Sequence, residues 1–326
     1  MTIFGPALAT PEKPRMSSPD VPCPAQSLTR VAAPDVLTGA YLFIIGLLAT
    51  VFADHIVQWW WYPLTHAMLI LALGMFLCKI PAQPTGWMRF VRWWYPAFLI
   101  PPIFSELQHL VHPINPVDID AHLVAIDFAL FGVHPTVWLE QCTVPWLTEY
   151  LQLAYVSFYF LPFILCVPLY RRGQFLAFRT ALCALLLSYY VSYLLYFLTP
   201  AQGPRFYLAD AHSLPLAGLW LTAPIQTLLD TLEGIQRDAF PSGHTAIALV
   251  VLALTTRYQR HWRWPMLVMT GSLVLSTVYL RYHYVIDVLA GGLLAVFCLG
   301  VAYSLYREQE GALRSAATLH AQLKVE

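Results

Sequence analysis

The chain has 326 residues, 58% of them hydrophobic and only 11% charged, with 18 Lys and Arg against 18 Asp and Glu. Its mean hydropathy of +0.59 is that of an integral membrane protein. No nucleotide-binding loop, dinucleotide fingerprint or nucleic-acid patch occurs, so nucleic acid is not an expected partner.

Residues 1–34 hold seven prolines and no apolar core of signal-peptide length, so a disordered cytoplasmic tail without a cleaved signal is expected. A bilayer core about 30 Å thick takes roughly 20 mostly apolar residues per helix. Eight stretches qualify: 37–54, 62–80, 90–105, 148–170, 176–198, 243–257, 264–281 and 285–306. Pro96, Pro101 and Pro102 interrupt the third, which reads as a span or as a tilted or re-entrant segment. The expected fold is an all-α polytopic membrane bundle with interfacial helices on the outer side, a single membrane domain over 35–306 followed by a cytoplasmic tail over 307–326. The six cysteines lie mostly inside spans without paired spacing and read as packing residues. Oligomeric state is not readable.

Fifteen of the 18 cations fall on one side of this arrangement, which the positive-inside rule makes cytoplasmic, together with both termini. The outer side keeps Arg205, Arg237 and Arg281. Each stands among polar residues at the outer end of a span, in TPAQGPRFYL (199–208), RDAFPSGHTA (237–246) and STVYLRYHYVID (276–287), so the three stretches are expected to meet at one membrane-surface cavity. His283 and Asp287 are four apart, which on a helix puts them on one face. The carboxylate then fixes one ring nitrogen and leaves the other free to act as nucleophile or base. A packed core pair is the alternative. In PSGH (241–244), Pro241 and Gly243 permit a tight turn before an apolar helix whose N–H groups attract phosphate oxygens. Ser242 adds a donor there, and His244 is placed to protonate a departing oxygen. Arg205 offers a planar fork that matches phosphate, or else is a juxtamembrane surface cation.

The order PSGH and then His-x3-Asp after one helical hairpin resembles the type-2 phosphatidic acid phosphatase superfamily, with the motifs over 199–292 and looser similarity over about 105–306. The resemblance implies a catalytic core of six of the helices. It makes His283 the nucleophile of a phosphohistidine, Asp287 its orienting partner, His244 the acid for the leaving group, and Arg205, Ser242 and Gly243 the phosphate ligands. It implies no cofactor and no metal. Two positions depart from the pattern: Leu198 stands where the family has Lys, and Thr277 where it has Arg. Arg281, one turn beyond Thr277 if the helix continues that far, is expected to replace the missing phosphate-binding arginine.

The GPR segment, the His283-Tyr284-x2-Asp287 element and the stretch DIDAHLVAIDFALFG (118–132) look like the inositol phosphorylceramide synthase branch, whereas Gly243 is the phosphatase form. The stretch 118–132, with Gly132 as its stop, reads as an interfacial helix covering the site. Its alternative is a head-group contact surface, with Asp120, Asp127 and His122 binding the hydroxyls of a polyol. LTAPIQTLLDTLEGIQ (221–236) reads as a second cover. The implied activity is lipid phosphate hydrolysis at the outer face. The alternative is transfer of a phospho-head group onto a lipid alcohol, with a lipid phosphate or a phosphoinositide as substrate. A zinc site built from His244, His283 and Asp287, and a transporter, are remoter readings.

Overall fold

The computed structural model describes residues 31–81, 84–233 and 236–323, and among these every regular element is helical. In chain order they are α1 (Ala33–Val51), α2 (Trp61–Lys79), α3 (Gly86–Ile114), α4 (Asp120–Phe131), α5 (Pro135–Trp138), α6 (Pro145–Val156), α7 (Leu161–Arg171), α8 (Phe175–Leu198), α9 (Pro204–Tyr207), α10 (Thr222–Glu233), α11 (Gly243–Tyr258), α12 (Arg263–Tyr279) and α13 (Val285–Leu323). The proline-rich tail expected over 1–34 lies outside the described residues except for its last four. At the other end there is no break near Arg307, because α13 runs on to Leu323.

Among the described residues four helices are long and apolar enough to cross a membrane: α1, α2, α8 and the first part of α13, Val285–Arg307. Two bent pairs pass the same test, and the number reaches six only where each pair is one span. One joins α4 to Pro135–Cys142 at 63°, and the other joins Pro145–Tyr159 to α7 at 44°. All eight expected stretches are helical among the described residues, although length and apolarity alone qualify fewer of them. α11 and α12 have 16 and 17 residues, about 24–26 Å at 1.5 Å per residue, short of a full crossing. α3 is one unbroken helix of 29 residues despite Pro96, Pro101, Pro102 and Pro113, and its Trp, Tyr, Pro and Arg content keeps it from qualifying. The α4 pair starts and ends at the same end of the bundle, where Asp120 meets Gly203 and Glu140 meets Arg281, so it is a re-entrant segment and not a crossing.

α8 is the axis of the bundle, packed against α1, α3, α7, α11 and α13. Its buried face includes Ala181, Ala184, Ser188 and Ser192, small residues that let neighbouring backbones approach. α13 crosses the start of α11 so closely that a Cβ on Gly291 would run into the Ser242 carbonyl. At one end of the bundle Asp35 accepts from both outer nitrogens of Arg92 at 2.8 and 2.6 Å and from the Tyr95 hydroxyl at 2.6 Å. Arg92 and Arg179 both lie over the Trp93 ring there. The C-terminal ends of α8 and α12 and the N-terminal ends of α11 and α13 gather at the opposite end, where the polar stretches lie.

Candidate active site

The backbone itself joins the three polar stretches. Ala239 N–H donates to Ala201 O at 3.1 Å, Arg205 N–H to Arg281 O at 2.7 Å, and Ser242 N–H to Asp287 O at 3.1 Å. Gly203 makes the close approach possible: its φ is +85°, and a Cβ there would stand 2.6 Å from Tyr282 O. The result is a cavity of about 260 Å³. Two histidines, one guanidinium, two carboxylates, two amides and three aromatic rings line it: His244, His283, Arg205, Asp230, Asp238, Gln202, Gln236, Tyr155, Tyr282 and Phe206.

His283 is not on the helix that carries Asp287. α12 ends at Tyr279, the Tyr282 and His283 N–H groups both turn back onto Thr277 O at 2.9 and 3.0 Å, and α13 starts only at Val285. The His283 Nδ1 lies 2.8 Å from Ala239 O and 3.5 Å from Asp287 Oδ2. A carbonyl only accepts, so Nδ1 carries the proton and donates to Ala239. The orienting hydrogen bond expected from Asp287 is thus made by a backbone carbonyl, and Asp287 stands beside the ring as its anion. Asp287 Oδ2 also accepts from Tyr284 N–H at 2.8 Å, which caps α13 from its own first turn. The Oδ1 of this fully buried residue has no hydrogen-bond partner among the described residues.

With Nδ1 protonated, neutral His283 keeps its lone pair on Nε2, which lies 3.3 Å from His244 Nδ1. His244 therefore donates from Nδ1 to His283. The His244 ring is set against Phe158 and Tyr155, with centroids 4.3 and 4.7 Å away. It is the residue through which the PSGH turn reaches the cavity. The Ser242 hydroxyl is occupied as the N-cap of α11, accepting from Thr245 N–H at 3.2 Å, and neither Ser242 nor Gly243 lines the cavity. Gly243 instead leaves space for the Tyr196 hydroxyl, 2.8 Å from where its Cβ would be.

Each outward arginine meets a carboxylate. Arg205 stays on the cavity wall and is paired with Asp230. Arg237 Nε donates to Asp118 at 2.8 Å. Arg281 is not brought to the cavity: it follows the end of α12 with φ at +68°, and its Nη2 donates to Glu140 at 2.8 Å and to Leu214 O at 2.7 Å. The helix it was expected to extend has already stopped, and the turn carries its side chain away.

The acids of α4 are consumed internally, which corrects the expectation of head-group contacts. Asp120 accepts from Gln202 N–H, Gly203 N–H and the Tyr284 hydroxyl at 2.9, 2.9 and 2.8 Å. Asp127 accepts from Val285 and Ile286 N–H at 2.8 and 2.9 Å, the first two amides of α13. His122 is exposed on the same helix. Two further acids do similar work: Glu140 holds the Ser213 and Leu214 amides, and Glu149 holds those of Leu219, Leu221 and Thr222 at the start of α10.

Asp238 and Asp230 are cavity carboxylates that motif reading missed, and Asp238 lies beside His283. Burial pushes the Asp238 carboxyl up to about 6, against the pull of the neighbouring His283. The signal of Asp238 in the sequence was only an acid three residues before Pro241, and an acid in a loop is ordinary. Among the described residues no group of three or more His, Cys, Asp or Glu is arranged to hold a metal ion. Asp287 lies on the Nδ1 edge of His283 and His244 on the Nε2 edge, so these three do not converge on one point.

A family model described as the PAP2 superfamily matches residues 121–301, more than half of the chain and everything from α4 into α13. A PA-phosphatase related-family protein of Dictyostelium discoideum is 24% identical over 172 residues, covering 47% of this chain and 31% of that relative. The chain therefore spans well under half of the relative's own length. No solved structure matches.

Proposed function

Given that the chain belongs to the PAP2 superfamily, we propose that it is an integral-membrane lipid phosphate phosphatase working through a phosphohistidine on His283. The observation that carries this reading is the locked tautomer: Nδ1–H is held by Ala239 O, so the Nε2 lone pair faces the cavity opposite His244. A phosphoryl group placed in line between the two rings requires them to part from 3.3 Å. The His283 Nε2 lone pair then attacks phosphorus. The P–N bond forms as the ester P–O bond breaks, and His244, doubly protonated beside the bound phosphate, gives its Nδ1 proton to the leaving oxygen and becomes neutral imidazole. Phosphorylated His283 bears positive charge, which Asp287 at 3.5 Å is placed to stabilise. In the second half, water loses its proton to His244 as its oxygen attacks phosphorus, and the P–N bond breaks to return neutral His283.

Arg205 is the guanidinium on the cavity wall and serves as the phosphate ligand. Hydrolysis is favoured over transfer by the PSGH form of the turn and by the name of the Dictyostelium relative. The same first half-reaction serves a transferase of the inositol phosphorylceramide synthase kind, in which a lipid alcohol replaces water. The site is assigned to the outer face, opposite the end of the bundle where Arg92 and Arg179 gather. Purified protein given a labelled lipid phosphate, and separately a labelled phosphoinositide with ceramide or diacylglycerol, tests the reading. Label released as free phosphate is the expected result. Label moved onto the second lipid would replace the phosphatase reading by the transferase one, and no transfer to either acceptor would reject both.

A further inference from the structure

The cavity wall holds an ion pair for which the proposed reaction has no use. Arg205 Nη1 and Nη2 donate to Asp230 Oδ1 and Oδ2 at 2.6 and 2.9 Å. This is the two-pronged geometry that a guanidinium also makes with a phosphate. Both side chains line the same cavity as His244 and His283, and both are solvent-accessible, 32% and 50% exposed. The carboxylate is not a stray surface acid. Its neighbour Leu229 is 2% exposed and packs in a cluster with Leu151, Tyr155 and Leu280, and Glu149 holds the amides at the start of α10. The helix is therefore seated so that Asp230 meets Arg205 from across the cavity mouth.

We propose that Asp230 is an intrinsic competitor for the phosphate seat on Arg205, a carboxylate on the same two guanidinium nitrogens that an incoming phosphoryl group has to displace. This rests on Arg205 being the phosphate ligand of the proposed function. The physical consequence is a tax on affinity. A phosphate ligand binds Arg205 only in the fraction of molecules where Asp230 has let go, so the observed Kd is the intrinsic one divided by that fraction. For a solvent-accessible pair this amounts to about two- to five-fold.

The test is equilibrium binding of labelled orthophosphate to the purified 326-residue chain in detergent at low salt. Asp230→Asn removes the charge and keeps the shape, and is expected to tighten binding about two- to five-fold. In 0.5 M salt the gain should shrink, because exposed pairs are screened. With Arg205→Ala already present, adding Asp230→Asn should return little of the gain. Asp230→Glu, which keeps the carboxylate, should bind like the parent and guards against a folding artefact. Unchanged or weaker binding by Asp230→Asn would overturn the proposal, as would a gain that persists in full without Arg205, which would mark a general charge effect. Orthophosphate binding does not depend on turnover. A chain that binds as stated but acts on no lipid phosphate sinks the phosphatase reading alone, and an active chain whose Asp230→Asn variant binds no tighter sinks this inference alone.

Discussion

Burial pushes the Asp238 carboxyl up to about 6, whereas in the unfolded chain it titrates near about 3.9. Between about pH 4 and pH 6 the folded protein keeps a proton that the unfolded chain has released, so stability falls as pH rises through that window. The cost is complete above pH 6 and absent below pH 4. Asp238→Asn is therefore expected to stabilise the protein at pH 7 by about 1–2 kcal/mol after allowing for solvent in the cavity, with the gain vanishing toward pH 4. Melting temperatures of parent and variant from pH 4 to pH 8 check this, and a difference independent of pH would contradict it. His244, His283, Asp287 and Arg205 were legible in the sequence because motif spacing and topology carry them to one place. Arg281 and Asp238 were not, because a side chain's direction after a helix end is set by remote partners. Glu140, which captures Arg281, is 141 residues away along the chain.

At the scale of elements, buried acids on one helix hold the backbone of the next. Asp127 of α4 fills the first amides of α13, the helix that carries Asp287 and directly follows His283. Asp127→Ala leaves those amides without their acceptor and should cost about 1–2 kcal/mol of stability and lower kcat as the His283 turn loosens. Thermal melts and steady-state rates measure both, and an unchanged melt would show that the cap is not needed. The α11–α13 crossing offers a paired test. Gly291→Ala drives a methyl into the Ser242 carbonyl and should cost about 1–3 kcal/mol. Gly292→Ala meets only Leu249 Cδ1 at 3.8 Å and should be neutral or gain up to about 1 kcal/mol of helix propensity. Equal melts for the two variants would contradict the crossing. The extent of α4 was readable, down to its stop at Gly132 with φ at +70°. Its task was not, since an acidic helix reads alike whether its carboxylates face a ligand or a neighbour's amides.

Over the whole molecule, apolar composition made the all-helical bundle legible, whereas length and apolarity alone qualify at most six crossings among the described residues. Length and hydropathy count stretches, whereas α11 and α12 are completed by packing against neighbours, and α4 with its successor bends at 63°. The proposed orientation puts Cys142 on the side of the site and Cys78 at the opposite end, and both are exposed. In sealed vesicles with the outer face outward, a membrane-impermeant maleimide should label Cys142 and leave Cys78 unlabelled, and the reverse pattern would invert the orientation.

Covalent catalysis on His283 would leave a phosphorylated intermediate during turnover. The most direct measurement is rapid acid-free quenching of the protein during turnover of a lipid carrying labelled phosphate, followed by mapping of the label. A phosphoramidate on His283, acid-labile and base-stable, is the predicted result, with both label and turnover lost in His283→Ala. Turnover that survives in His283→Ala, or label that maps to any other residue, would contradict the account.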